Sequence, residues 1–330
     1  MTDFRNLSKF IGSFPVDYNG WWYFAVPAKC VKKIGLPLPT FIHGDDVEYG
    51  VRCAKAGWNC ITPLGIGVWH EGFQSRHRTW IVYYDIRNFL IMQTLMFENR
   101  NWSSKQITKS LRNRINCEIK KFEYGKVLIM IKGLEDFLKG SNILTEKNPL
   151  ELHLEIVDLY NKNPFSYKIS HNDLNQKIKN PIPVNKNSKP NHKMIKYLKR
   201  LLPNFILSKF KKHDYISSDL YLNEKFVPFN AKSLIIHNTW NEELICYNYN
   251  EALDKKLRKD VLGLLRDFNK NYEKKKISWQ LSVADLQSVS FWTNYLNLKN
   301  FHRICFSFFK GVFKTLKNRP ISTLGLMDHR

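Results

Sequence analysis

The first hundred residues alternate short apolar runs with turn residues, a pattern that predicts mixed α/β structure. Residues 21–26 (WWYFAV) form an aromatic and β-branched run that ends at Pro27 and predicts a buried strand. Residues 27–35 predict a short helix, because proline stands in its first turn and glycine just past its end. Residues 46–56 carry apolar or small side chains at helical spacing, begin with acidic residues and stop at Gly57, which predicts a second helix.

Short strands are predicted around Ile61 and over residues 65–69, and a long aromatic helix over residues 80–97. Beyond them the periodicity is mainly helical, over residues 127–138, 150–160, 194–212 and 253–268. Residues 161–193 are rich in Asn, Lys, Pro and Ser, which is typical of a solvated connector. We therefore predict an α/β domain over residues 1–98, followed by a mainly α-helical C-terminal domain over residues 99–330.

Composition separates the same two regions. With 43% hydrophobic and 14% aromatic residues the chain can build a core, so a disordered protein is excluded. The first hundred residues hold 11 basic and 8 acidic side chains, so most of the net charge of +23 lies in the rest of the chain.

The sequence shows neither an apolar run of about 18 residues nor the apolar stretch of a secretory signal. Its six cysteines lack C-x-x-C spacing, so no zinc site or disulfide framework is expected, and a cytoplasmic location is predicted.

The densest group of reactive side chains lies in residues 41–50 (FIHGDDVEYG). Asp45, Asp46 and Glu48 stand at the start of the predicted helix, whose N-terminus favours ionised carboxylates, so at least one should be available as a base. Asp46 and Glu48 cannot share one helical face, because neighbours on a face are three or four positions apart, and we expect them to have different roles. The alternative is that these acidic residues only cap the helix and are solvated.

Two other segments carry candidate binding residues. His70 follows an apolar stretch beside glycines, where an imidazole is placed to bind a metal or orient a substrate; a histidine satisfied in the core or on the surface is the alternative. Trp21 and Trp22 offer flat apolar faces on which sugar rings or bases can stack, although an aromatic run in a strand is also typical of a core.

Together these segments resemble a known family. The order W-W-x-F, P-x-F-I-x-x-D-D-x-E-x-G-x-R, G-x-x-V-W-H and Y-x-x-x-R-N is similar to the second half of the catalytic region of bacterial galactofuranosyltransferases, which are family 2 inverting glycosyltransferases with the GT-A fold. The matching residues are Trp21, Trp22, Phe24, Pro39, Phe41, Ile42, Asp45, Asp46, Glu48, Gly50, Arg52, Gly65, Val68, Trp69, His70, Tyr83 or Tyr84, Arg87 and Asn88. Beyond residue 100 the chain is similar to that family only in length and helical character.

The resemblance implies roles on the acceptor side of the reaction. Asp46 would be the general base that takes the proton from the acceptor sugar hydroxyl, and Asp45, Trp21 and Trp22 would hold the acceptor. Glycosyl transfer would join a sugar from a nucleotide-sugar donor, such as UDP-galactofuranose, to a glycan of a cell-surface polysaccharide.

It also implies roles on the leaving-group side. His70 would be a ligand of a divalent metal, Mn²⁺ or Mg²⁺, that neutralises the departing nucleotide diphosphate, while Glu48 and Arg87 would support the site. An inverting displacement needs a base on the acceptor face and an electrophile on the leaving-group face, so this division is chemically consistent.

Two features depart from the family pattern. The family's metal-binding D-x-D lies upstream of the paired tryptophans, and the sequence contains no D-x-D and no glycine-rich phosphate loop. We therefore expect a partial GT-A domain that lacks its nucleotide-binding first half. Either the chain is a fragment of a split or truncated gene, or a separate polypeptide supplies that half. His43 and Gly44 replace bulkier residues of the family, which leaves the donor or acceptor preference open.

The excess positive charge suggests further partners. Residues 195–212 and 301–317 mix basic and apolar residues, as in helices that lie on an anionic membrane, and a peripheral position at the inner face of the plasma membrane would suit an enzyme that extends a lipid-linked glycan. A lysine-rich solvated helix face is the alternative. A pI of 9.7 is also typical of nucleic-acid-binding proteins, but no recognisable binding motif supports that function and we expect no nucleic-acid partner. A non-catalytic acceptor-binding or membrane-docking module is the competing function.

Overall fold

Helices make up most of the described chain. The computed structural model describes residues 13–63, 68, 79–95, 102–162, 166–170, 182–183, 213–217, 231–238 and 243–296. Its helices are α1 (Ala28–Ile34), α2 (Asp45–Lys55), α3 (Ile81–Leu95), α4 (Ser104–Lys120), α5 (Tyr124–Lys139), α6 (Pro149–Asn161), α7 (Glu251–Leu286) and α8 (Val289–Tyr295). Its strands are β1 (Ser13–Val16), β2 (Cys60–Pro63), β3 (Ser166–Ile169), β4 (Ile182–Pro183), β5 (His213–Ser217), β6 (Ala231–Asn238) and β7 (Glu243–Asn248).

The predicted helices α1, α2, α3, α5 and α6 are confirmed with ends that differ by a few residues. The predicted strand over residues 21–26 is wrong, because this segment forms a turn and an irregular connection. Trp22 and Tyr23 are exposed, whereas Trp21 and Phe24 stack on each other and pack edge-on against Tyr49 of α2. The aromatic run therefore covers one side of a helix instead of pairing in a sheet.

A small unit forms where strands β1 and β2 pair antiparallel and pack beside α1 and α2. The strand predicted around Ile61 is thus confirmed as β2. Cys30, Tyr49, Cys53 and Cys60 are the buried centre of this unit, and the sulfurs of Cys30 and Cys53 lie 3.6 Å apart. Burial raises the pKa of the Cys53 thiol to about 12, so these cysteines serve as small apolar core residues.

The main core lies between α3 and the helices that follow it. Ten side chains of α3 are buried, and the helix packs closely against α5. Gly133 permits that approach, because a Cβ there would lie 2.8 Å from the carbonyl oxygen of Tyr83. The long helix α7 packs against α3, α4 and α5 through buried residues that recur along its length, among them Phe268, Tyr272 and Trp279. Helix α3 thus precedes the predicted domain boundary at 98/99 and shares a core with helices after it.

The sequence pattern predicted neither helix α4 nor a five-stranded sheet. The order of the sheet is β3-β7-β6-β5-β4, with antiparallel pairs up to β6 and parallel pairs beyond it. Strands β6 and β7 bury both faces, with Leu234 and Tyr247 facing the main core and Ile235 and Cys246 in a separate cluster. Two of its strands, β3 and β4, lie within the predicted connector over residues 161–193. The predicted helix over 194–212 and the basic stretch over 301–317 lie outside the described residues.

None of the helices in the described ranges combines the length and the apolar character needed to cross a membrane.

Candidate functional site

Asp45 and Asp46 are the first two residues of α2. The helix is preceded by Gly44, whose positive φ of 88° and lack of a side chain leave the N-terminus without a side-chain cap. A Cβ at Gly44 would lie 2.9 Å from the methyl carbon of Met92, whose flexible end can shift, so it is the left-handed backbone that favours glycine here. The N-cap position is therefore occupied by Gly44, and the two carboxylates stand in the first turn, where the helix dipole favours negative charge.

The two neighbouring carboxylates have different environments. Asp46 is partly exposed; its Oδ1 accepts a hydrogen bond from the Val47 amide at 2.8 Å, and its other oxygen has no partner among the described residues. Burial raises the pKa of Asp45, an effect that backbone amides and His43 only partly offset. Asp46 thus presents an accessible proton acceptor, while Asp45 is partly withdrawn from water beside it.

Glu48 is buried and paired with Arg52, whereas Asp46 is partly exposed. Glu48 is 3% exposed and receives two hydrogen bonds from Arg52, at 2.8 Å from Nε and 3.0 Å from Nη2. Arg52 also donates to the carbonyl oxygens of Ile34 and Leu36 at the end of α1. Burial raises the pKa of Glu48, with the charge of Arg52 opposing that effect. Through Arg52, Glu48 therefore fixes α2 against the end of α1, and its surroundings differ from those of the partly exposed Asp46.

Gly50 allows α2 to lie in close contact with Tyr18. A Cβ at Gly50 would lie 2.5 Å from Cβ and 2.9 Å from Cα of Tyr18. Only glycine allows this approach, which places the segment that leads to the paired tryptophans directly on α2.

The loop before α2 is held from the other side by α3. Arg87 Nη2 donates to the carbonyl oxygen of Thr40 at 2.7 Å, and Asn88 Nδ2 donates to those of Ile42 and His43 at 2.7 and 2.8 Å. These contacts hold the backbone where it takes left-handed conformations, with φ of 71° at His43. A non-glycine residue in this region is strained by about 1 kcal/mol or more, so the contacts stabilise a shape the loop would not adopt unaided.

Arg87 is itself part of a buried network between α3 and α5. It is 1% exposed, its guanidinium lies 5.2 Å from the ring centroids of both Tyr83 and Tyr84, and Nη1 donates to the Tyr83 hydroxyl at 3.3 Å. The Tyr83 hydroxyl donates in turn to Asp136 at 2.8 Å. Arg87 therefore acts through the backbone of residues 40–43, as a positioning residue.

A second polar group beside the acidic turn was not expected from the sequence. His43 Nδ1 contacts one oxygen of Asp85, and Arg114 donates to the other oxygen at 2.8 Å. Burial alone would raise the pKa of Asp85, but His43 and Arg114 outweigh it and hold that pKa below its usual value. The signal in the sequence was an acidic residue two positions before Arg87 on α3, which only the fold brings opposite His43.

The paired tryptophans have unequal exposure. Trp21 is 36% exposed and its ring lies 5.7 Å from that of Tyr49, one turn along α2 from Asp45 and Asp46. Trp22 is 58% exposed. The structure thus places Trp21 against Tyr49, one turn along α2 from Asp45 and Asp46, and leaves Trp22 more than half exposed.

His70 lies outside the described residues, as do residues 65–67 and 69 of the predicted strand. In the ranges the structure does describe, no three His, Cys, Asp or Glu side chains are arranged to hold a metal ion. The described residues therefore do not provide a metal site, and the role of His70 as a metal ligand stays a prediction.

Comparison with known proteins gives one consistent relationship. No protein-family model matches the chain. Two curated relatives, each named galactofuranosyltransferase GlfT2, are similar over 130 residues, at 32% identity in Mycobacterium tuberculosis and 33% in Mycolicibacterium smegmatis. The similarity covers 38% of this chain and 20% and 19% of those relatives. The chain therefore spans about a fifth of the length of the curated relatives it matches, and this region relates it to glycosyltransferases.

Proposed function

We propose that this chain carries the acceptor-binding and catalytic-base side of an inverting glycosyltransferase. The observation that carries the proposal is the position of Asp46, partly exposed in the first turn of α2, with that turn fixed from both sides by buried hydrogen bonds. The similarity to two galactofuranosyltransferases supports the reaction class. A carboxylate held rigidly at a helix N-terminus suits a base that must meet one hydroxyl in one geometry.

In this reaction Asp46 accepts the proton of an acceptor sugar hydroxyl as the hydroxyl oxygen attacks the anomeric carbon of the donor sugar. The bond between that carbon and the diphosphate oxygen breaks, the nucleoside diphosphate leaves with the bonding electrons, and the anomeric centre inverts. Asp45 hydrogen-bonds the acceptor, while Trp21 and Trp22 provide apolar faces for its sugar rings. The loop that Arg87 and Asn88 hold keeps these groups in register before the substrate binds.

The partners follow from the same proposal. The donor is a nucleotide sugar such as UDP-galactofuranose, and the acceptor is a glycan or lipid-linked glycan. Two further parts of the proposal rest on the family resemblance alone. One is a divalent cation, Mn²⁺ or Mg²⁺, with His70 among its ligands, and the other is a D-x-D segment that binds the donor. Attachment to an anionic membrane through the basic stretches over 195–212 and 301–317 belongs to the proposal on the basis of their composition.

The test is transfer from UDP-galactofuranose to a galactofuranosyl disaccharide by the full-length or reconstituted enzyme. Asp46→Asn should lower kcat by about 10²- to 10⁴-fold, because the amide cannot accept the proton, with little change in the acceptor KM. Asp158→Asn, on the exposed side of α6, is the matched control and should leave both constants unchanged. Near-normal kcat in Asp46→Asn would refute the role of Asp46, and near-normal activity in His70→Ala would refute that of His70.

A non-catalytic acceptor-binding module is the second candidate, favoured by the exposed ring of Trp22. It predicts that a galactofuranosyl oligosaccharide binds, that Trp22→Ala weakens binding, and that no transfer occurs when donor and Mn²⁺ are supplied together with the donor-binding half.

A further inference from the structure

The loop before α2 concentrates left-handed backbone. Phe41 and His43 are two of the three non-glycine residues with positive φ in the part of the chain that the structure describes, and Gly44 follows with φ of 88°. Such conformations cost free energy and persist where the surrounding structure holds them. Because they lie directly before Asp45, the contacts that hold them also affect the direction of the first turn of α2.

The backbone that leads into this loop is anchored by distant parts of the chain. Trp292 Nε1 donates to the carbonyl oxygen of Pro37 at 2.9 Å, and the amide of Leu36 donates to the carbonyl oxygen of Gln287 at 2.9 Å. These bonds attach α8 and the end of α7 to the segment before the loop. Side chains of α3 then hold carbonyl groups of residues 40–43.

The imidazole of His43 adds a side-chain anchor two residues before Asp45. His43 Nδ1 contacts one oxygen of Asp85, and Arg114 Nη2 donates to the other oxygen at 2.8 Å. Since a carboxylate oxygen accepts, Nδ1 carries the hydrogen of this contact. The Asp85 side chain is 7% exposed, whereas those of His43 and Arg114 are more than a third exposed. A buried carboxylate thus joins α3, α4 and the loop, and only Gly44 separates this junction from Asp45.

The charges around the imidazole favour this arrangement. Its charged neighbours among the described residues are Asp85 on α3, Arg114 on α4 and Asp45 on α2. Burial raises the pKa of Asp45, and the charge of His43 opposes that effect. The imidazole is therefore close both to the buried anchor and to the carboxylate that is proposed to hold the acceptor.

We propose that His43 is a positioning residue for Asp46, and that its contact with Asp85 holds the left-handed backbone in the arrangement that aims the first turn of α2 at the substrate. This rests on the proposed function and extends it to a part of the chain outside the acidic turn. Arg114 acts one step further away, because it fixes the carboxylate of Asp85. Displacing a reacting group by about 1 Å can slow a reaction by about 10²-fold, so the contact should affect kcat more than the acceptor KM.

Two substitutions at position 43 separate the side-chain contact from the backbone conformation. His43→Gly keeps the positive φ without strain and removes the contact. His43→Asn also tolerates a positive φ, and its amide nitrogen takes the place of Nδ1, so it can still donate to Asp85. If His43 served only to accommodate this backbone, glycine would replace it without loss.

The first measurement is transfer from UDP-galactofuranose to a galactofuranosyl disaccharide by the full-length or reconstituted enzyme. We expect His43→Gly to lower kcat about tenfold or more and His43→Asn to stay within about threefold of wild type, with similar acceptor KM values. Arg114→Gln should lower kcat by a smaller factor, and Arg112→Gln, on the exposed face of the same helix, is its matched control. Equal kcat in His43→Gly and wild type would overturn the proposal.

A second comparison removes the partner of the imidazole. In an Asp85→Ala background the difference in kcat between His43→Gly and His43→Asn should vanish, because neither residue then has a carboxylate to contact. A difference that persisted there would show that backbone flexibility at position 43 sets the rate, and it would refute the role of the contact. Circular dichroism melting verifies that each variant folds.

Amide hydrogen exchange tests the anchor without any need for activity. The amide of Glu48 donates to the carbonyl oxygen of Gly44 at 2.9 Å, so its exchange reports whether Gly44 is fixed to α2. It should exchange at least about threefold faster in His43→Gly than in His43→Asn. Equal exchange would overturn the positioning role even if Asp46→Asn abolished transfer. Near-normal transfer by Asp46→Asn would instead refute the proposed function, while faster exchange in His43→Gly would still establish the anchor.

Discussion

Arg87 Nη2 lies 2.7 Å from the carbonyl oxygen of Thr40, a residue 47 positions earlier in the chain. Through this bond, and through Asn88 beside it, helix α3 holds the loop over residues 40–43, which leads into Asp45 and Asp46 at the start of α2. The position of the proposed base therefore depends on a helix whose own packing partners lie far away in the sequence.

Arg87→Lys should lower the free energy of unfolding by about 2 kcal/mol or more. Lysine cannot reproduce the fork of hydrogen bonds to Thr40, Tyr83 and Asn88, and it leaves buried acceptors unsatisfied. Urea denaturation measures the loss, and amide hydrogen exchange should accelerate in residues 40–46. Arg112→Lys, on the exposed face of α4, is the control and should change stability by less than about 0.5 kcal/mol. Equal stability of the two variants would contradict the positioning role.

The Glu48–Arg52 pair should contribute far more than an exposed pair of the same spacing. Glu48→Ala leaves a largely buried guanidinium without its carboxylate, and we expect a loss of about 3 kcal/mol. The Glu251–Lys255 pair on α7 has the same i, i+4 spacing with both side chains more than half exposed, so breaking it should cost at most about 0.5 kcal/mol. Double-mutant cycles at both pairs give the two coupling energies, and similar values would refute the distinction.

The stabilisation by Asp85 should disappear in acid. Its pKa is lower in the folded chain than in the unfolded chain, so the folded state binds fewer protons, and the contribution is present above about pH 5 and declines as the pH falls below about 4. Asp85→Asn should therefore be about 2 kcal/mol less stable than wild type at pH 5.5, with a smaller difference at pH 3.5. Urea titrations at both values test this, and a difference independent of pH would contradict it.

Gly50→Ala and Gly263→Ala should have opposite effects, although both glycines lie within helices. At Gly50 the added Cβ meets the backbone of Tyr18, and we expect a loss of about 1 to 3 kcal/mol. At Gly263 no atom lies within 4 Å of the added Cβ, so the variant should be more stable by about 0.5 to 1 kcal/mol. Thermal melting of the two variants provides the comparison, and destabilisation of both would show that helix position, rather than the contact with Tyr18, decides the outcome.

The sequence predicted the local features of the site and missed those created by tertiary contacts. The acidic first turn of α2 followed from helical spacing. The different roles expected of Asp46 and Glu48 stay a prediction, and the structure adds that Asp46 is partly exposed and Glu48 buried. The contact of His43 with Asp85 did not follow from the sequence, because 42 residues separate them and nothing local marks either as a partner. Trp21 and Trp22 were assigned to a strand because their neighbours are aromatic or β-branched, yet Trp21 packs with Phe24 on Tyr49 and Trp22 is exposed. Strands β6 and β7 were missed because the helical signal of the surrounding sequence is stronger than that of two short apolar runs.

The two hydrogen bonds that join Leu36 to Gln287 and Pro37 to Trp292 have a consequence for biosynthesis. During translation the N-terminal acidic turn leaves the ribosome long before the residues that secure its flank have been made. Its final shape must therefore wait until about 250 further residues have been synthesised, and contacts of such long range form slowly. Ribosome-bound chains that stop before residue 287 should consequently expose residues 36–46 to proteases that the finished protein resists.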